Sequence, residues 1–322
     1  MQLLSVIIPV YNAEKYLENC WNSLRQQTYP VCEFLFVDDC STDGSLEILN
    51  EFEKKDKRIR ILSTGTNQGV SAARNVGLRY ASGCYIGFCD ADDYVDKDMY
   101  VNMISCLEQH NADIVTSGVI RESEDGMTKS GLFNSDSVIV FNSEDALKSW
   151  MIGEKISNSV CTKVFKADVF VGIRFPEGEI FEEAFVIPQL LLRTARIVHA
   201  GISPYHYIVR ANSLTTREFS ERKMTVYPRE EYIMELVVSK YPALQSAYIS
   251  FCVRNNLSVC YSAIRSTLPR SSEIYRRTKK EVRRYLWPGL TNPYLSIKTK
   301  FHLCDVIFGT AYLRFRVFQR KG

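Results

Sequence analysis

Several familiar sequence patterns are missing from this chain of 322 residues, and each absence excludes one class of protein or site. No stretch of eighteen apolar residues runs without a charge, so a membrane-spanning helix is not expected. The ten cysteines stand singly without a C-x-x-C pair, which argues against a zinc or dithiol redox site. Most have apolar neighbours, where a reduced cysteine acts as a small hydrophobic residue. We therefore expect a cytoplasmic protein.

The N-terminal residues lack the pattern of a secretory signal. Met1 and Gln2 lead directly into an apolar segment, with no basic stretch and no small-residue cleavage site. We interpret residues 3–10 as a first β-strand rather than a leader.

Charge divides the chain into two regions. Residues 217–322 contain 20 Lys and Arg against 8 Asp and Glu, a net charge of +12, whereas the preceding residues contain 20 against 29, a net charge of −9. We predict one domain over residues 1–216 and a basic, mainly helical region over 217–322. Within the first domain, strand and helix patterns alternate over residues 1–117, and this alternation stops over 118–216.

Short β-rich apolar segments alternate with helical patterns over the first 117 residues. The predicted strands span residues 3–10, 33–38, 59–63, 84–89 and 113–117. Apolar residues recur at helical spacing between them. This alternation predicts an α/β, Rossmann-like fold, in which helices cover both faces of a mostly parallel central sheet.

Two strand ends carry unusual residues, and open parallel sheets bind ligands at the carboxyl ends of their strands. The first end, Pro9-Val10-Tyr11-Asn12, lacks the G-x-G-x-x-G of dinucleotide-binding folds, so NAD is disfavoured. In place of the glycines stands the aromatic ring of Tyr11, which could stack on a base. The second end has Asp38 and Asp39, where a carboxylate could accept a hydrogen bond from a base N–H.

A third strand end carries three carboxylates in the segment Asp90-Ala91-Asp92-Asp93. Ionised carboxylates are costly to desolvate alone, so this cluster requires a cation, a hydrogen-bonding ligand or water. Mg²⁺ and Mn²⁺ bind hard oxygen ligands, usually one or two carboxylates plus substrate phosphates. The alternative is a solvated turn that caps the next helix.

A glycine-containing segment, from Asn67 to Gly77, lies between the second and third strand ends. Gly69 allows a tight entry into a helix whose N-terminus offers free N–H groups, and Arg74 can make charge-assisted contacts. Packing of small residues is the alternative explanation for its alanines.

These four segments, in this order and spacing, resemble the family-2 glycosyltransferases of the GT-A fold. The resemblance is dense over residues 3–110 and weaker to about residue 216. It implies that residues 1–216 are a catalytic domain, in which 1–117 form the nucleotide-sugar-binding part and 118–216 the acceptor part. It also implies a nucleotide-diphosphate sugar donor, most often a UDP-sugar, and a divalent cation, Mn²⁺ or Mg²⁺.

The same resemblance assigns roles to individual residues. It implies that Tyr11 stacks on the base, that Asp39 bonds the base N–H and that Asp90 holds the ribose. Asp92 would contact the metal. The remaining residues of the predicted nucleotide-binding set are Pro9, Asp38, Asn67, Arg74 and Ala91.

The resemblance also points to a catalytic base. The family has Glu-Asp at the start of a helix downstream of the D-x-D, and here Glu182 and Glu183 stand there, with Glu183 in the Asp position. Asp and Glu have similar pKa values, about 3.9 and 4.3. One added methylene shifts the oxygens by roughly 1 Å, to which catalysis is sensitive. Glu182, Glu183 and also Glu179 therefore stay candidates beside a solvated acidic helix start.

Weaker matches suggest an acceptor and diphosphate side. Lys163 lies in a segment that resembles the one before the family's base, and His206 and Arg210 lie in a segment that resembles its strand and loop near the diphosphate. A histidine between two tyrosines is more often structural. The predicted set on this side is Asp93, Lys163, His206 and Arg210.

The basic C-terminal region contains an amphipathic pattern. Six cations between Arg276 and Arg284 fall within about 160° of one helical face, opposite apolar residues. Such helices can lie on anionic membranes, although a helical cap with its cations in water is equally compatible. Residues 314–321 repeat the basic pattern. No recognised nucleic-acid module accompanies it, so no nucleic-acid partner is expected.

The sequence thus predicts a metal-dependent, inverting glycosyltransferase that acts on a glycan or lipid-linked acceptor in surface polysaccharide or glycoconjugate assembly. It would be cytoplasmic, with peripheral attachment to the inner face of the membrane. Two alternatives stay open: a sugar-nucleotide nucleotidyltransferase, and a nucleotide-sugar-binding scaffold without turnover. Self-association, the donor sugar and the linkage are not determined by the sequence.

Overall fold

A computed structural model describes residues 1–210, 219–266, 269 and 272–308. The chain divides into two compact units, Met1–Ala211 and Asn212–Gly322. The predicted boundary between residues 216 and 217 lies outside the described residues and stays a prediction.

The first unit contains strands and helices that alternate over its first half. Its strands are β1 (Leu4–Val10), β2 (Cys32–Asp38), β3 (Ile59–Ser63), β4 (Tyr85–Phe88), β5 (Tyr94–Val95), β6 (Ile114–Thr116), β7 (Val119–Ser123), β8 (Lys129–Leu132), β9 (Ile139–Phe141), β10 (Lys163–Lys166), β11 (Ile197–His199) and β12 (Tyr205–Val209). Its α-helices are α1 (Leu17–Arg25), α2 (Ser45–Lys55), α3 (Val70–Tyr80), α4 (Met99–Gln109), α5 (Ser143–Ile152) and α6 (Glu183–Arg193). The five predicted strands and the helices between them are therefore present.

Eight strands form the central sheet in the order β3-β2-β1-β4-β10-β6-β11-β9. Strands β3, β2, β1 and β4 are parallel, as is the β6–β11 pair. Strand β10 lies antiparallel between β4 and β6, and β9 is antiparallel at one edge. The sheet is mixed, and the half formed by β1 to β4 is parallel as predicted.

Helices cover both faces of the parallel half. Ile7 of β1 packs against Gly77 of α3, where a Cβ atom would come within 2.3 Å of the Ile7 side chain. Phe34 lies opposite Val6, the neighbour of Ile7, so it belongs to the other face, because side chains alternate along a strand. There it meets the ring of Trp21 from α1, with centroids 5.3 Å apart. The doubly covered sheet is therefore confirmed.

A second sheet was not predicted. Its four strands have the order β5-β12-β7-β8, and β7 and β8 form an antiparallel hairpin between Val119 and Leu132. Strand β12 pairs in parallel with β7 and antiparallel with the two-residue strand β5, which directly follows the acidic segment. This sheet therefore joins the acidic segment to residues more than 100 positions later.

The second unit is helical over its described residues. Its α-helices are α7 (Val226–Ile233), α8 (Gln245–Arg265), α9 (Glu273–Arg284), α10 (Leu286–Leu290) and α11 (Ile297–Phe308). Among the described residues, none of the helices combines the length and apolar character needed to cross a membrane.

Candidate active site

The carboxyl ends of three neighbouring strands, β2, β1 and β4, form one edge of the site. Val10 lies beside Asp38, and Ile7 lies beside Phe88, so the residues that follow these strands emerge together. The Tyr11 ring at this edge is half exposed and able to receive a flat ligand. Pro9 precedes it in β1.

Asp39 organises the loop that leads into α3. One carboxylate oxygen accepts hydrogen bonds from the Thr64 hydroxyl at 2.7 Å and the Gln68 N–H at 2.9 Å, and the other accepts from the Gly69 N–H at 2.6 Å. Gly69 has φ of 88°, which favours glycine. Asp39 therefore positions this loop, and a base N–H would share oxygens that already accept protein hydrogen bonds.

Two other predicted residues, Asp38 and Asn67, differ in their exposure. Asp38 is buried and accepts a hydrogen bond from the Ser41 N–H at 3.2 Å, which fixes the turn after β2. Asn67 is exposed in the loop itself. Asp38 thus shapes the edge of the site, whereas Asn67 is accessible to a ligand.

Arg74 joins the acidic segment to the start of α6. Its buried guanidinium lies 3.1 Å from Asp90 Oδ1, contacts the Glu182 carboxylate and lies 3.8 Å from Glu183 Oε1. Burial opposes the charge of Arg74, but Glu183, Asp90 and Glu182 raise its pKa well above its ordinary value. The guanidinium also lies 5.4 Å over the Phe175 ring. The three carboxylates are therefore gathered around one permanent cation.

Glu183 is a mostly buried carboxylate at the start of α6. It is the first residue of α6, reached through Phe181, whose φ of 58° turns the chain. Its Oε1 accepts a hydrogen bond from the Val160 N–H at 2.8 Å. Burial raises the pKa of Glu183 to about 7; Arg74 opposes this rise, and Glu182 adds to it. A carboxylate with such a pKa can exchange a proton near neutral pH.

Lys163 is buried, and its ammonium group is occupied by hydrogen bonds to protein atoms. Its buried ammonium donates hydrogen bonds to the carbonyl oxygens of Ser157, at 2.8 Å, and Ser159, at 2.6 Å. Burial lowers the pKa of Lys163 to about 7, while Glu183 opposes the shift. Lys163 therefore supports the loop that donates to Glu183, a role different from the predicted lining of the acceptor side.

Asp92 forms a second arginine–carboxylate contact at the acidic segment. Its Oδ2 lies 2.5 Å from Arg210 Nη1, and the guanidinium of Arg210 also contacts the Asp92 carbonyl oxygen and lies 4.0 Å over the Tyr16 ring. The Asp92 side chain is 45% exposed. Burial raises the pKa of Asp92, Asp90 adds to the rise, and Arg210 opposes it. Asp92 therefore offers a carboxylate at the surface of the site.

Two residues of the acidic segment, Ala91 and Asp93, are packed inward. Asp93 is 1% exposed and accepts hydrogen bonds from the Tyr205 hydroxyl at 2.7 Å and the Ile208 N–H at 2.9 Å. Ala91 is also buried. Asp93 thus anchors the segment to β12 instead of facing a ligand. Sequence reasoning missed Tyr205, although it adjoins the histidine that was singled out.

His206 is held within the small sheet. Its Nδ1 lies 2.5 Å from Glu122 Oε1, its Nε2 lies 3.1 Å from Asp96 Oδ1, and its ring stacks on Tyr94. Donation to a diphosphate, as predicted, would require one of these contacts to break. The structure therefore favours the alternative in which His206 is structural.

The strand-end carboxylates and the mixed sheet with its accessory strands define a GT-A fold. The structure is similar to that of residues 1–349 of S. aureus TarS in complex with UDP-GlcNAc. The TM-score is 0.64 and the identity 18%, over 97% of this chain and 92% of the TarS chain.

Sequence comparisons identify the family. Residues 5–157 match the family described as Glycosyl transferase family 2. The chain is 30% identical to the Streptococcus pneumoniae glycosyltransferase GlyG over 68% of this chain and 74% of that protein. It is 32% identical to GlyA of the same organism over 69% of this chain, but spans only 32% of the length of GlyA. The chain belongs to glycosyl transferase family 2.

Proposed function

We propose that this protein transfers a sugar from a UDP-sugar to a hydroxyl of a glycan or lipid-linked acceptor, with inversion at the anomeric carbon. The observation that carries the proposal is Glu183, a carboxylate with a pKa of about 7 that Arg74 links to the acidic strand end. One carboxylate acting as base is sufficient for a single displacement, so no covalent enzyme intermediate is needed.

A UDP-sugar donor is consistent with the edge formed by β1 and β2. The exposed Tyr11 ring can stack on uracil, and Asp39 can accept a hydrogen bond from its N–H. Asp90, held by Arg74, can accept hydrogen bonds from the ribose hydroxyls. The complex of TarS with UDP-GlcNAc, in a protein of the same fold, supports this choice of nucleotide.

The exposed carboxylate of Asp92 fits a divalent cation, Mn²⁺ or Mg²⁺. Among residues 1–210, 219–266, 269 and 272–308, no three His, Cys, Asp or Glu side chains are arranged to hold a metal together. A cation at Asp92 would therefore take its other oxygen ligands from the donor diphosphate and water, as such ions commonly do. When bound, it would stabilise the negative charge of the departing diphosphate.

The protein's own residues supply the rest of the reaction. The acceptor O–H proton passes to the Glu183 carboxylate while the acceptor oxygen bonds to the anomeric carbon. The bond from that carbon to the diphosphate oxygen breaks, and UDP leaves with its electron pair. Arg74 keeps Glu183 oriented through the cluster, and Arg210 offers a cation beside Asp92.

The acceptor class is inferred from the relatives and the basic second unit. TarS is described as a poly(ribitol-phosphate) β-N-acetylglucosaminyltransferase, which supports surface polysaccharide assembly as the setting. The +12 charge of residues 217–322 supports peripheral attachment to an anionic membrane beside a lipid-linked acceptor. The family assignment favours sugar transfer over the nucleotidyltransferase alternative.

The proposal is tested by UDP release from a panel of UDP-sugars with Mn²⁺, comparing the wild type with Glu183→Gln. Loss of the base should lower turnover by about 10² to 10⁴-fold, the usual contribution of general base catalysis. UDP affinity, measured by calorimetry, should stay unchanged, because Glu183 does not contact the nucleotide in this mechanism.

Glu179→Gln is the matched control, since this glutamate lies in the same segment without a hydrogen bond to the Val160 N–H. It should behave as wild type. The assignment fails if Glu179→Gln abolishes turnover and Glu183→Gln does not. UDP binding by the wild type without hydrolysis or transfer from any donor would instead favour the scaffold alternative.

A further inference from the structure

In the second unit, the most basic helix is α9, and buried residues of its apolar side pack inside the unit. Thr278 and Val282 of α9 are buried, as is Tyr285 after its end, whereas Arg276, Lys280 and Arg283 are exposed. Helix α9 therefore contributes charge at the surface of the unit, but Val282 and Tyr285 on its apolar side are not available to a membrane. The basic residues 314–321, a second predicted contact, lie outside the described residues.

Helix α11, unlike α9, exposes large apolar side chains to solvent. Ile297 is 74% exposed and Phe301 is 65% exposed, and at 100° per residue they lie about 40° apart on one face. Leu303 and Val306 lie on the other face and are buried. The helix is thus held in the unit by one apolar face while it presents a second apolar face to solvent.

Cations flank the exposed apolar face of α11. Lys298 and Lys300 lie on either side of Ile297 and Phe301 around the helix. Lysines in such positions can reach the headgroup region while the apolar residues between them insert more deeply. Trp287 in α10 is 75% exposed, and tryptophan favours the same interfacial depth.

We propose that the face of α11 formed by Ile297, Lys298, Lys300 and Phe301 is the membrane-docking surface of this protein, and that its partner is an anionic lipid bilayer. Charge complementarity selects this partner, because the exposed apolar side chains lie in the region with a net charge of +12. The inference rests on the proposed use of a membrane-bound acceptor and specifies which side chains enter the bilayer.

The test is flotation of the full chain with phosphatidylcholine vesicles that contain phosphatidylglycerol, at low salt. The double variant Ile297→Ser, Phe301→Ser should bind at least about tenfold more weakly than wild type, equivalent to ~1.4 kcal/mol. Lys298→Gln with Lys300→Gln should weaken binding and reduce its salt dependence, because surface charges are screened by ions.

Val138→Ser with Val140→Ser is the matched control. These two valines of the first unit are 45% and 49% exposed, so the variant removes exposed apolar surface away from α11, although less of it than the α11 variant does. This variant should bind vesicles as wild type does. Equal binding by the α11 double variant, or no binding by the wild type, would overturn the proposal.

Two further readouts separate the causes of failure. Turnover of a UDP-sugar in solution should be the same in the wild type and both serine variants, so that a loss of flotation does not reflect a damaged active site. Analytical ultracentrifugation tests a different occupant: a concentration-dependent dimer that the α11 variant abolishes would make the face a contact between two copies and overturn the membrane assignment.

Discussion

Two arginines bind the carboxylates of the candidate active site, but in different environments. The Arg74 side chain is 4% exposed and has three carboxylates around it, and two of these, Glu182 and Glu183, are mostly buried. Arg210 pairs with Asp92, whose side chain is 45% exposed. The buried cluster is suited to hold a base in one geometry, whereas the exposed pair leaves a carboxylate accessible to a ligand.

The largest effect is expected from Arg74→Met, which removes the cation from the buried cluster. Uncompensated buried carboxylates should lower the free energy of unfolding by about 3–5 kcal/mol. Urea denaturation measures this loss. Sugar transfer should also fall, because Glu183 loses the contact that orients it.

Arg58→Met is the matched control for that variant. Arg58 also pairs with a carboxylate, Asp56, at 2.8 Å, but both side chains are partly exposed. Such a pair is worth about 1 kcal/mol or less. If the two substitutions destabilise the protein equally, the distinction between buried cluster and surface pair is wrong.

A smaller effect, on UDP affinity, is expected at the Arg210–Asp92 pair. Asp92→Asn should abolish the gain in UDP affinity that Mn²⁺ provides, at least about tenfold or ~1.4 kcal/mol, because an amide oxygen is a weaker ligand for a hard cation. Arg210→Gln should retain a gain with Mn²⁺, since the Asp92 carboxylate stays in place. Calorimetry of UDP binding with and without Mn²⁺ measures both.

The control here is Asp98→Asn, which alters a carboxylate that accepts a hydrogen bond from the Thr28 hydroxyl. Its Mn²⁺ response should equal that of the wild type. Persistence of the full Mn²⁺ effect in Asp92→Asn would remove Asp92 from the cation site.

The parallel half of the fold was predictable because its signals are local. Apolar periodicity located β1 to β4 and the helices between them, and the strand-end segments around Asp39 and Asp90 identified the edge of the site. The apolar residues of α6 also predicted a helix there, and the family resemblance brought Glu182 and Glu183 at its start into the candidate set. Each of these inferences depends on residues close together in sequence.

The rest of the fold and of the candidate site depends on contacts between residues that are far apart in the sequence. Strand β5 has only two residues, so it carries no periodic signal, and its pairing with β12 is set by the fold. For the same reason, the sequence did not indicate that Asp93 binds Tyr205 or that His206 lies between Glu122 and Asp96. The exposed apolar face of α11 was not predicted, because the sequence alone does not show which of its two apolar faces, the one with Ile297 and Phe301 or the one with Leu303 and Val306, is buried.

The most direct test of the account is the pH dependence of sugar transfer by the wild type, measured as kcat/KM between about pH 5.5 and 9. Glu183 must be ionised to accept a proton, and burial raises its pKa to about 7. The rate should therefore rise with pH up to about 7 and level off above it, and Glu183→Gln should lose this limb. A profile that is flat across this range in the wild type, or a limb that persists in Glu183→Gln, would contradict the assignment of Glu183 as the base.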